Sequence, residues 1–326
     1  MKNNKSLKLV LSISAGMILA GCGAQSEDDE IENGVDSEDK LEVMTTFYPV
    51  YEFSKQVAGD LADVSLMISA GTDSHGFEPS AQDVAKLNQV DLFIYSSPYM
   101  ETWVEDTLTA IESEEVIVVE ASESIELKEM SGTNLLDEDE HDHEEEEADE
   151  HNHTFDPHVW LDPVLAKEMV QTIEAGFIEA DPENEAIYEK QAATFIDELE
   201  TVHQEFETTL SDLDNNTFVT QHDAYGYLAA RYGLKQVSIS GLSTEIEPDP
   251  SRIAEISEYI RQEDVTTVFY NKNTASTTAE TVAQEAGVKA EGLHSLEGVT
   301  DAEREAGMDY LSIMRENLAA LSQLNE

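Results

Sequence analysis

Residues 181–210 read DPENEAIYEKQAATFIDELETVHQEFETTL and contain a long helical pattern. Asp181, Pro182 and Glu183 supply a capping acid, a proline at the first helical position and a second acid. Apolar side chains then recur at helical spacing, with no glycine or proline between them. They are Tyr188, Phe195, Leu199, Val202, Phe206 and Leu210. We predict one rigid helix over 183–211, about 28 residues and roughly 40 Å long, that joins two lobes. A long helix inside a single domain is the alternative.

Short β-branched or aromatic runs lie on both sides of this helix. Four precede it, at 41–47, 64–68, 90–95 and 116–119, and four follow it, at 217–220, 234–239, 265–270 and 288–293. Helical segments such as 80–88 and 223–232 lie between the runs. Strands that alternate with helices predict an α/β fold of two parallel βα lobes. We expect an N-terminal lobe at 41–182 and a C-terminal lobe at 212–326.

The first residues have the features of an export signal. Three lysines precede an apolar stretch at 9–20 that is too short to span a bilayer as a helix. The stretch ends in LAGC at 19–22, which resembles a bacterial lipobox, in which the cysteine is lipidated. We predict a signal peptide at 1–21 and an anchor at Cys22 on the outer face of the cell membrane. An ordinary cleaved signal with an incidental cysteine is the alternative.

Two acidic segments lack the apolar residues that a packed core requires. Residues 22–40 are predicted to be a flexible tether. Residues 137–153 read DEDEHDHEEEEADEHNH, and we predict a solvated loop there. Its four histidines favour additional weak capture of borderline metals, although histidine could be incidental in an acidic loop. They are His141, His143, His151 and His153.

The charge balance excludes some partners. The chain has 71 acidic and 17 basic residues, a formal net charge of −54. Nucleic-acid binding needs a basic surface and is not expected, nor is electrostatic docking to anionic lipid. An acidic surface concentrates cations, but a solubility adaptation to a salty or alkaline habitat explains it more simply. Because Cys22 is the single cysteine, neither a disulfide framework nor a thiolate zinc cluster is expected.

Four histidines outside the acidic loop lie where predicted strands or their connecting loops end. They are His75, His158, His222 and His294. Ligands of open α/β sheets bind beyond the carboxyl ends of the strands, so two facing lobes would bring these side chains into one cleft. Imidazoles together with a carboxylate such as Glu297 suit Zn²⁺, whereas Mn²⁺ favours more carboxylate. A zinc hydrolase is the alternative chemistry, but no HExxH, GxSxG or P-loop motif is present.

Three segments carry a resemblance to a known family. They read SHGFEPS at 74–80, DPHVWLDP at 156–163 and QHDAYG at 221–226. In this order they are similar to the ligand motifs of the metal-binding receptors of ABC importers, the TroA-like or cluster A-I group. A histidine-rich acidic loop before the second motif is typical of the zinc branch, the ZnuA and AdcA type. The resemblance covers nearly the whole chain from residue 41 onward.

The resemblance implies that His75, His158 and His222 bind a metal ion. The manganese branch usually has glutamate at the third position, so His222 favours zinc. Many relatives have an aspartate where this chain has His294, and the closest zinc receptors use a glutamate three residues later. Glu297 is therefore the expected fourth ligand, with His294 as the alternative.

Three carboxylates adjoin these motifs and are candidate acceptors that orient the imidazoles. They are Glu78, Asp156 and Asp223. Helix capping accounts for Asp223 equally well.

The resemblance further implies a receptor without catalytic turnover, with Zn²⁺ held between two lobes that one long helix joins. It implies a membrane partner as well, a permease–ATPase complex that takes up the ion. We expect a monomer without the extra C-terminal zinc-binding domain of some relatives. A receptor for manganese or another divalent metal and an adhesin of the same fold are the alternative functions.

Overall fold

The computed structural model describes residues 40–325 except 71, 73, 112, 114, 130–154, 214, 242–247 and 273. The predicted signal peptide, Cys22, the tether up to residue 39 and the acidic loop with its four histidines lie outside these residues. Among the residues that the structure describes, no helix combines the length and apolar character needed to cross a membrane.

The N-terminal lobe contains a parallel four-stranded sheet in the order β2-β1-β3-β4. Its strands are β1 (Leu41–Thr45), β2 (Ala62–Leu66), β3 (Leu92–Tyr95) and β4 (Ile117–Glu120). Its helices are α1 (Tyr48–Ala58), α2 (Ala81–Leu87), α3 (Val104–Leu108) and α4 (Pro163–Ala180). The apolar strand β3 is buried at every residue, as expected for a strand covered on both faces. The chain leaves β1 on one side towards β2 and later returns to the other side, so the topological switch point lies between β1 and β3.

The linking helix α5 spans Glu185–Leu210 and has 26 residues, about 39 Å of helix. Its start differs from the predicted position 183, because a 3₁₀ turn at Pro182–Asn184 comes first. Asp181 does not cap the backbone, since its carboxylate accepts hydrogen bonds from the Asn184 and Tyr188 side chains instead. The six predicted apolar positions, from Tyr188 to Leu210, are all buried, so the sequence periodicity identified the packed face correctly.

The C-terminal lobe repeats the arrangement with a parallel sheet in the order β6-β5-β7-β8. Its strands are β5 (Thr217–Thr220), β6 (Lys235–Ser238), β7 (Thr267–Asn271) and β8 (Lys289–Leu293). Its helices are α6 (Gly226–Arg231), α7 (Pro250–Gln262), α8 (Thr277–Ala286), α9 (Asp301–Glu305) and α10 (Tyr310–Leu321). The predicted α/β fold of two parallel-sheet lobes and a long helix is thus confirmed, and every predicted strand region overlaps an observed strand.

A continuous group of buried apolar side chains runs through both lobes. Phe53 of α1 packs against Phe195 of α5 and Tyr310 of α10, with ring centroids 5.8 and 5.0 Å apart. The same group includes Phe218 of β5 and Leu293 of β8. Interiors packed in this way have low compressibility, so the shared core holds the facing ends of the two sheets in a defined relation.

Candidate metal centre

Four side chains from separate parts of the chain bring donor atoms within 4.8 Å of one another. They are His75, His158, His222 and Glu297. The Oε1 atom of Glu297 lies 3.3 Å from Nε2 of His75, 3.2 Å from Nε2 of His158 and 2.8 Å from Nε2 of His222. The Nε2 atoms of His75 and His158 are 3.2 Å apart. All three imidazoles therefore present the same ring nitrogen to one carboxylate oxygen.

These distances suit a small metal shell. A tetrahedral zinc site with bonds of about 2.0–2.2 Å separates its donors by roughly 3.3–3.6 Å, close to the spacing found here. Three imidazole nitrogens and one carboxylate oxygen match the ligand types that Zn²⁺ takes in proteins.

The strand ends bring these side chains together. His75 lies in the loop after β2, and His222 follows β5, which borders the switch point of the second sheet. Glu297 follows β8, and His158 immediately precedes a 3₁₀ turn at Val159–Leu161 that leads towards α4. The expectation of a cluster beyond the carboxyl ends of strands therefore describes the observed placement.

A carboxylate behind His158 orients its ring. The Oδ1 atom of Asp156 accepts a hydrogen bond from the His158 backbone N–H at 3.0 Å and lies 2.8 Å from Nδ1. Because an ionised carboxylate only accepts, Nδ1 carries the proton and Nε2 faces the cluster. The structure places Asp156 where an orienting acceptor is expected.

For His222, the group beside Nδ1 is a backbone carbonyl rather than a carboxylate. The carbonyl oxygen of Gly241 lies 3.4 Å from Nδ1 of His222. The Asp223 carboxylate makes no described hydrogen bond to this ring, although the charges of His158 and His222 both act to lower its pKa. Its backbone N–H donates to the Gly241 carbonyl at 3.3 Å. Nor is Asp223 a helix cap, since α6 begins at Gly226 after Tyr225. The helix-cap interpretation of Asp223 is therefore wrong, and its role as an orienting acceptor stays a prediction. The sequence could not indicate Gly241, because every residue has a carbonyl group.

The role of Glu78 as an orienting acceptor likewise stays a prediction. This side chain is exposed and lines a surface depression with Pro79, Thr102 and Asp106. Two residues later, the capping box of Ser80 and Asp83 begins α2.

His294 is separate from the four donors. Its ring is fully buried, and Nδ1 accepts a hydrogen bond from the backbone N–H of Leu296 at 2.9 Å. Nε2 is 3.9 Å from a carboxylate oxygen of Glu303. Burial lowers the pKa of His294 to about 4, so the ring is neutral and its Nδ1 lone pair is available to accept. Of the two candidates for the fourth position, the structure brings Glu297 to the imidazoles.

The cluster has strongly coupled charges. Burial raises the pKa of Glu297, but the three surrounding imidazoles outweigh it and hold this pKa well below its usual range. Burial lowers the pKa of His158, yet Asp156 and Glu297 together raise it to about 9. Beside them, burial and the Asp156 carboxylate raise the pKa of Asp223 to about 6. At neutral pH the group therefore holds a proton that a metal ion must displace.

Comparison with known proteins places the chain in a family. The family model described as zinc-uptake complex component A, periplasmic (ZnuA), matches residues 43–324. The zinc-binding lipoprotein AdcA of Streptococcus pneumoniae is 40% identical over 322 residues, which cover 99% of this chain and 61% of that protein. The high-affinity zinc uptake system protein ZnuA of Bacillus subtilis is 41% identical over 306 residues, which cover 94% of this chain and 93% of that protein. The chain thus spans about three fifths of the length of AdcA.

Solved structures agree with this relationship. The Zn(II)-bound ZnuA-like domain of S. pneumoniae AdcA superposes with a TM-score of 0.74 at 40% identity, covering 88% of this chain and 99% of that domain. The laminin-binding protein Lmb of Streptococcus agalactiae, described as having adhesin and metal-transporting activity, gives a TM-score of 0.76 at 35% identity. That match covers 88% of this chain and all of Lmb. This chain belongs to the ZnuA family of zinc-uptake component A proteins.

Proposed function

We propose that this chain is an extracytoplasmic receptor that binds Zn²⁺ and delivers it to an ABC importer. The observation that carries the proposal is the convergence of His75, His158, His222 and Glu297 between the two lobes, with donor spacings that suit a tetrahedral ion. Family membership and the zinc-binding names of the relatives support it.

The proposed site binds without catalysis. A catalytic zinc keeps one coordination position for water, whereas four protein donors fill a tetrahedral shell. Glu297 takes the position that a hydrolase leaves to water. The family is one of transport receptors rather than enzymes, which also argues against the hydrolase alternative.

The first test concerns metal choice. Zn²⁺ is expected to bind at least about a hundredfold more tightly than Mn²⁺ at pH 7, because three of the four donors are imidazoles and Mn²⁺ prefers oxygen ligands. Competition titrations with a chromophoric chelator measure both affinities. His222→Glu, which replaces one imidazole by a carboxylate, is expected to reduce the difference between the affinities for Zn²⁺ and Mn²⁺. Equal affinity of the unaltered protein for the two ions would rule out the zinc-receptor proposal.

A second test concerns the support of His158 by Asp156. A Cβ atom at Gly226 would lie 2.8 Å from Oδ2 of Asp156, closer than real contacts allow, so Gly226→Ala must displace this carboxylate. Zinc affinity is expected to fall about tenfold. This is the lower end of the loss expected when a metal ligand loses the hydrogen-bond partner that orients it. Thermal unfolding of the zinc-free protein is measured alongside, because the higher helix propensity of alanine only partly offsets the cost of moving this carboxylate. Ala230→Ser, at an exposed position of α6, is the control and should leave affinity unchanged. Unaltered affinity in Gly226→Ala would show that Asp156 does not tune the site.

The proposed location follows from the N-terminal sequence and from the lipoprotein name of a relative. Residues 1–21 are proposed to be a signal peptide and Cys22 the lipid attachment site. Cys22→Ala is expected to abolish labelling by a fatty-acid analogue, and the protein is then released to the medium or retained as precursor. Ser26→Ala, within the proposed tether, is the control and should remain labelled. Labelling that persists in Cys22→Ala contradicts the anchor.

Further parts of the proposal concern organisation and partners. We propose that residues 41–182 and 212–326 act as the two lobes around the linking helix, and that the acidic loop at 137–153 captures metal weakly. The receptor is proposed to be a monomer that docks on a permease–ATPase complex. Growth under zinc chelation tests this role, since a strain lacking the receptor should starve and recover with the unaltered gene but not with a His158→Ala gene. An adhesin function alone, suggested by the resemblance to Lmb, predicts equal growth of all these strains.

A further inference from the structure

We propose that His294 is a positioning residue that aims Glu297 at the metal ion, although it is not itself a ligand. The inference rests on the proposed zinc site. It concerns the turn formed by residues 294–297, which follows β8 and ends at the carboxylate of the cluster.

The backbone of this turn takes an uncommon conformation. Leu296 has a φ angle of 63°, in the left-handed region that non-glycine residues seldom adopt. Leu296 is fully buried, so its N–H cannot turn to bulk water. The N–H donates instead to Nδ1 of His294 at 2.9 Å. A buried N–H without an acceptor is costly, so this one bond favours the turn over a relaxed backbone.

His294 is itself held from outside the turn. Asn317, on α10, accepts a hydrogen bond from the His294 backbone N–H at 2.9 Å through Oδ1. Its Nδ2 donates to the His294 carbonyl at 2.8 Å. Asn317 is buried, and α10 packs on the shared core through Tyr310. The backbone of His294 is thus fixed at the start of the turn, and its buried ring extends from this fixed position to accept the N–H two residues later.

The residue between His294 and Leu296 continues this hydrogen-bond network towards the carboxylate of Glu297. Ser295 accepts a hydrogen bond from Trp160 Nε1 on its carbonyl at 2.9 Å and from Asn271 Nδ2 on its hydroxyl at 3.0 Å. The same hydroxyl donates to Oε2 of Glu297 at 3.0 Å. One oxygen of Glu297 is therefore tied to the turn, while Oε1 faces the three imidazoles. This arrangement leaves Oε1 of Glu297 to bind the metal ion while Oε2 stays hydrogen-bonded to Ser295.

The turn explains why Glu297 rather than His294 reaches the cluster. A change of sign at the φ angle of Leu296 would rotate the following residue away from the position that it now occupies. Loss of the His294 acceptor is therefore expected to act on the metal through Glu297. A role limited to attaching α10 to β8 would instead affect folding stability and leave metal affinity unchanged.

The test compares two substitutions with the same number of side-chain heavy atoms, of which only one keeps a hydrogen-bond acceptor. His294→Leu replaces Nδ1 by carbon, whereas His294→Asn keeps an acceptor at the same bond distance from Cα, since Oδ1 of asparagine takes the place of Nδ1. Zinc affinity is measured by chelator competition on the full chain, and thermal unfolding is measured without zinc. The unaltered protein is titrated alongside. Weak binding by that protein would contradict the proposed zinc function itself, whereas tight binding leaves the role of His294 to be decided by the variants.

We expect His294→Leu to bind zinc about tenfold more weakly, the loss expected when a metal ligand loses a group that positions it. The zinc affinity of His294→Asn should stay within about threefold of that of the unaltered protein. Glu297→Gln should also weaken zinc binding. The double variant His294→Leu, Glu297→Gln should bind zinc no more weakly than Glu297→Gln alone, because both changes act on the interaction of residue 297 with the metal ion. Unchanged affinity in His294→Leu overturns the inference, and so do additive effects in the double variant. Equal losses in the leucine and asparagine variants, with four imidazoles in the X-ray absorption spectrum of the unaltered zinc protein, would make His294 a ligand instead.

Discussion

Glu297→Ala is expected to weaken zinc binding by about a hundredfold, because one of four protein ligands and the only anionic one is lost. Its Oε1 atom lies within 3.3 Å of Nε2 on all three imidazoles, so no other described side chain can substitute without moving. The three imidazoles also hold the pKa of Glu297 well below its usual range, despite burial that raises it. This carboxylate is therefore charged at every pH at which zinc is expected to bind.

Competition titration at fixed ionic strength measures this loss. Glu305→Ala is the matched control, since it removes an exposed glutamate from the end of α9 and should leave the affinity unchanged. Glu297→Asp keeps the charge on a shorter side chain and should give an intermediate affinity. If Glu297→Ala binds zinc as tightly as the unaltered protein, the fourth position belongs to water or to another group. The hydrolase alternative would then regain support.

Zinc affinity is expected to fall by about a hundredfold between pH 8 and pH 6, because one proton must leave the cluster for each ion bound. Burial lowers the pKa of His158, but Asp156 and Glu297 raise it to about 9. Below that value the proton competes with zinc, which gives about one decade of affinity per pH unit. Titration calorimetry at pH 7.5 in buffers of different ionisation enthalpy should report release of about one proton per zinc.

The same shift affects the stability of the zinc-free protein in the opposite direction. The pKa of His158 is raised from 6.5 to about 9 in the folded state. Its contribution to the free energy of unfolding is therefore fully present below pH 6.5 and is lost as the pH rises through about 9. Zinc binding thus strengthens with pH over the range in which this contribution to the stability of the zinc-free fold weakens.

Asp156→Asn tests the origin of the pH dependence. Without the Asp156 carboxylate, burial has less opposition and the pKa of His158 should fall. Proton release at pH 7.5 should then shrink, together with the slope of affinity against pH. Asp223→Asn removes a neighbouring carboxylate that makes no described bond to a ligand ring, and it should change both quantities less. A slope near zero in the unaltered protein would contradict the assignment of the proton to this cluster.

Local patterns in the sequence were sufficient for the fold. Each strand was recognisable from a short run of β-branched or aromatic residues, and the buried face of α5 from the spacing of its apolar residues. His75, His158 and His222 lie in motifs of neighbouring residues, so the same local information singled them out. Asp156, two residues before His158, lies in one of these motifs and could be identified in the same way.

The resemblance placed Glu297 ahead of His294 as the fourth ligand, and the tertiary structure brings Glu297 to the three imidazoles. Both follow β8 within four residues, and without the resemblance their residue types and spacing leave both positions open. The placement of the two side chains depends on the left-handed backbone of Leu296 within the turn. It also depends on Asn317 of α10 and on Trp160, which are hydrogen-bonded to the turn across large sequence separations. Glu78 and Asp223 lie within three residues of His75 and His222 in sequence, yet Glu78 is exposed and Asp223 makes no described hydrogen bond to the His222 ring. Hydrogen-bond partners are set by packing in three dimensions, and adjacency along the chain constrains them only where the backbone itself carries the contact.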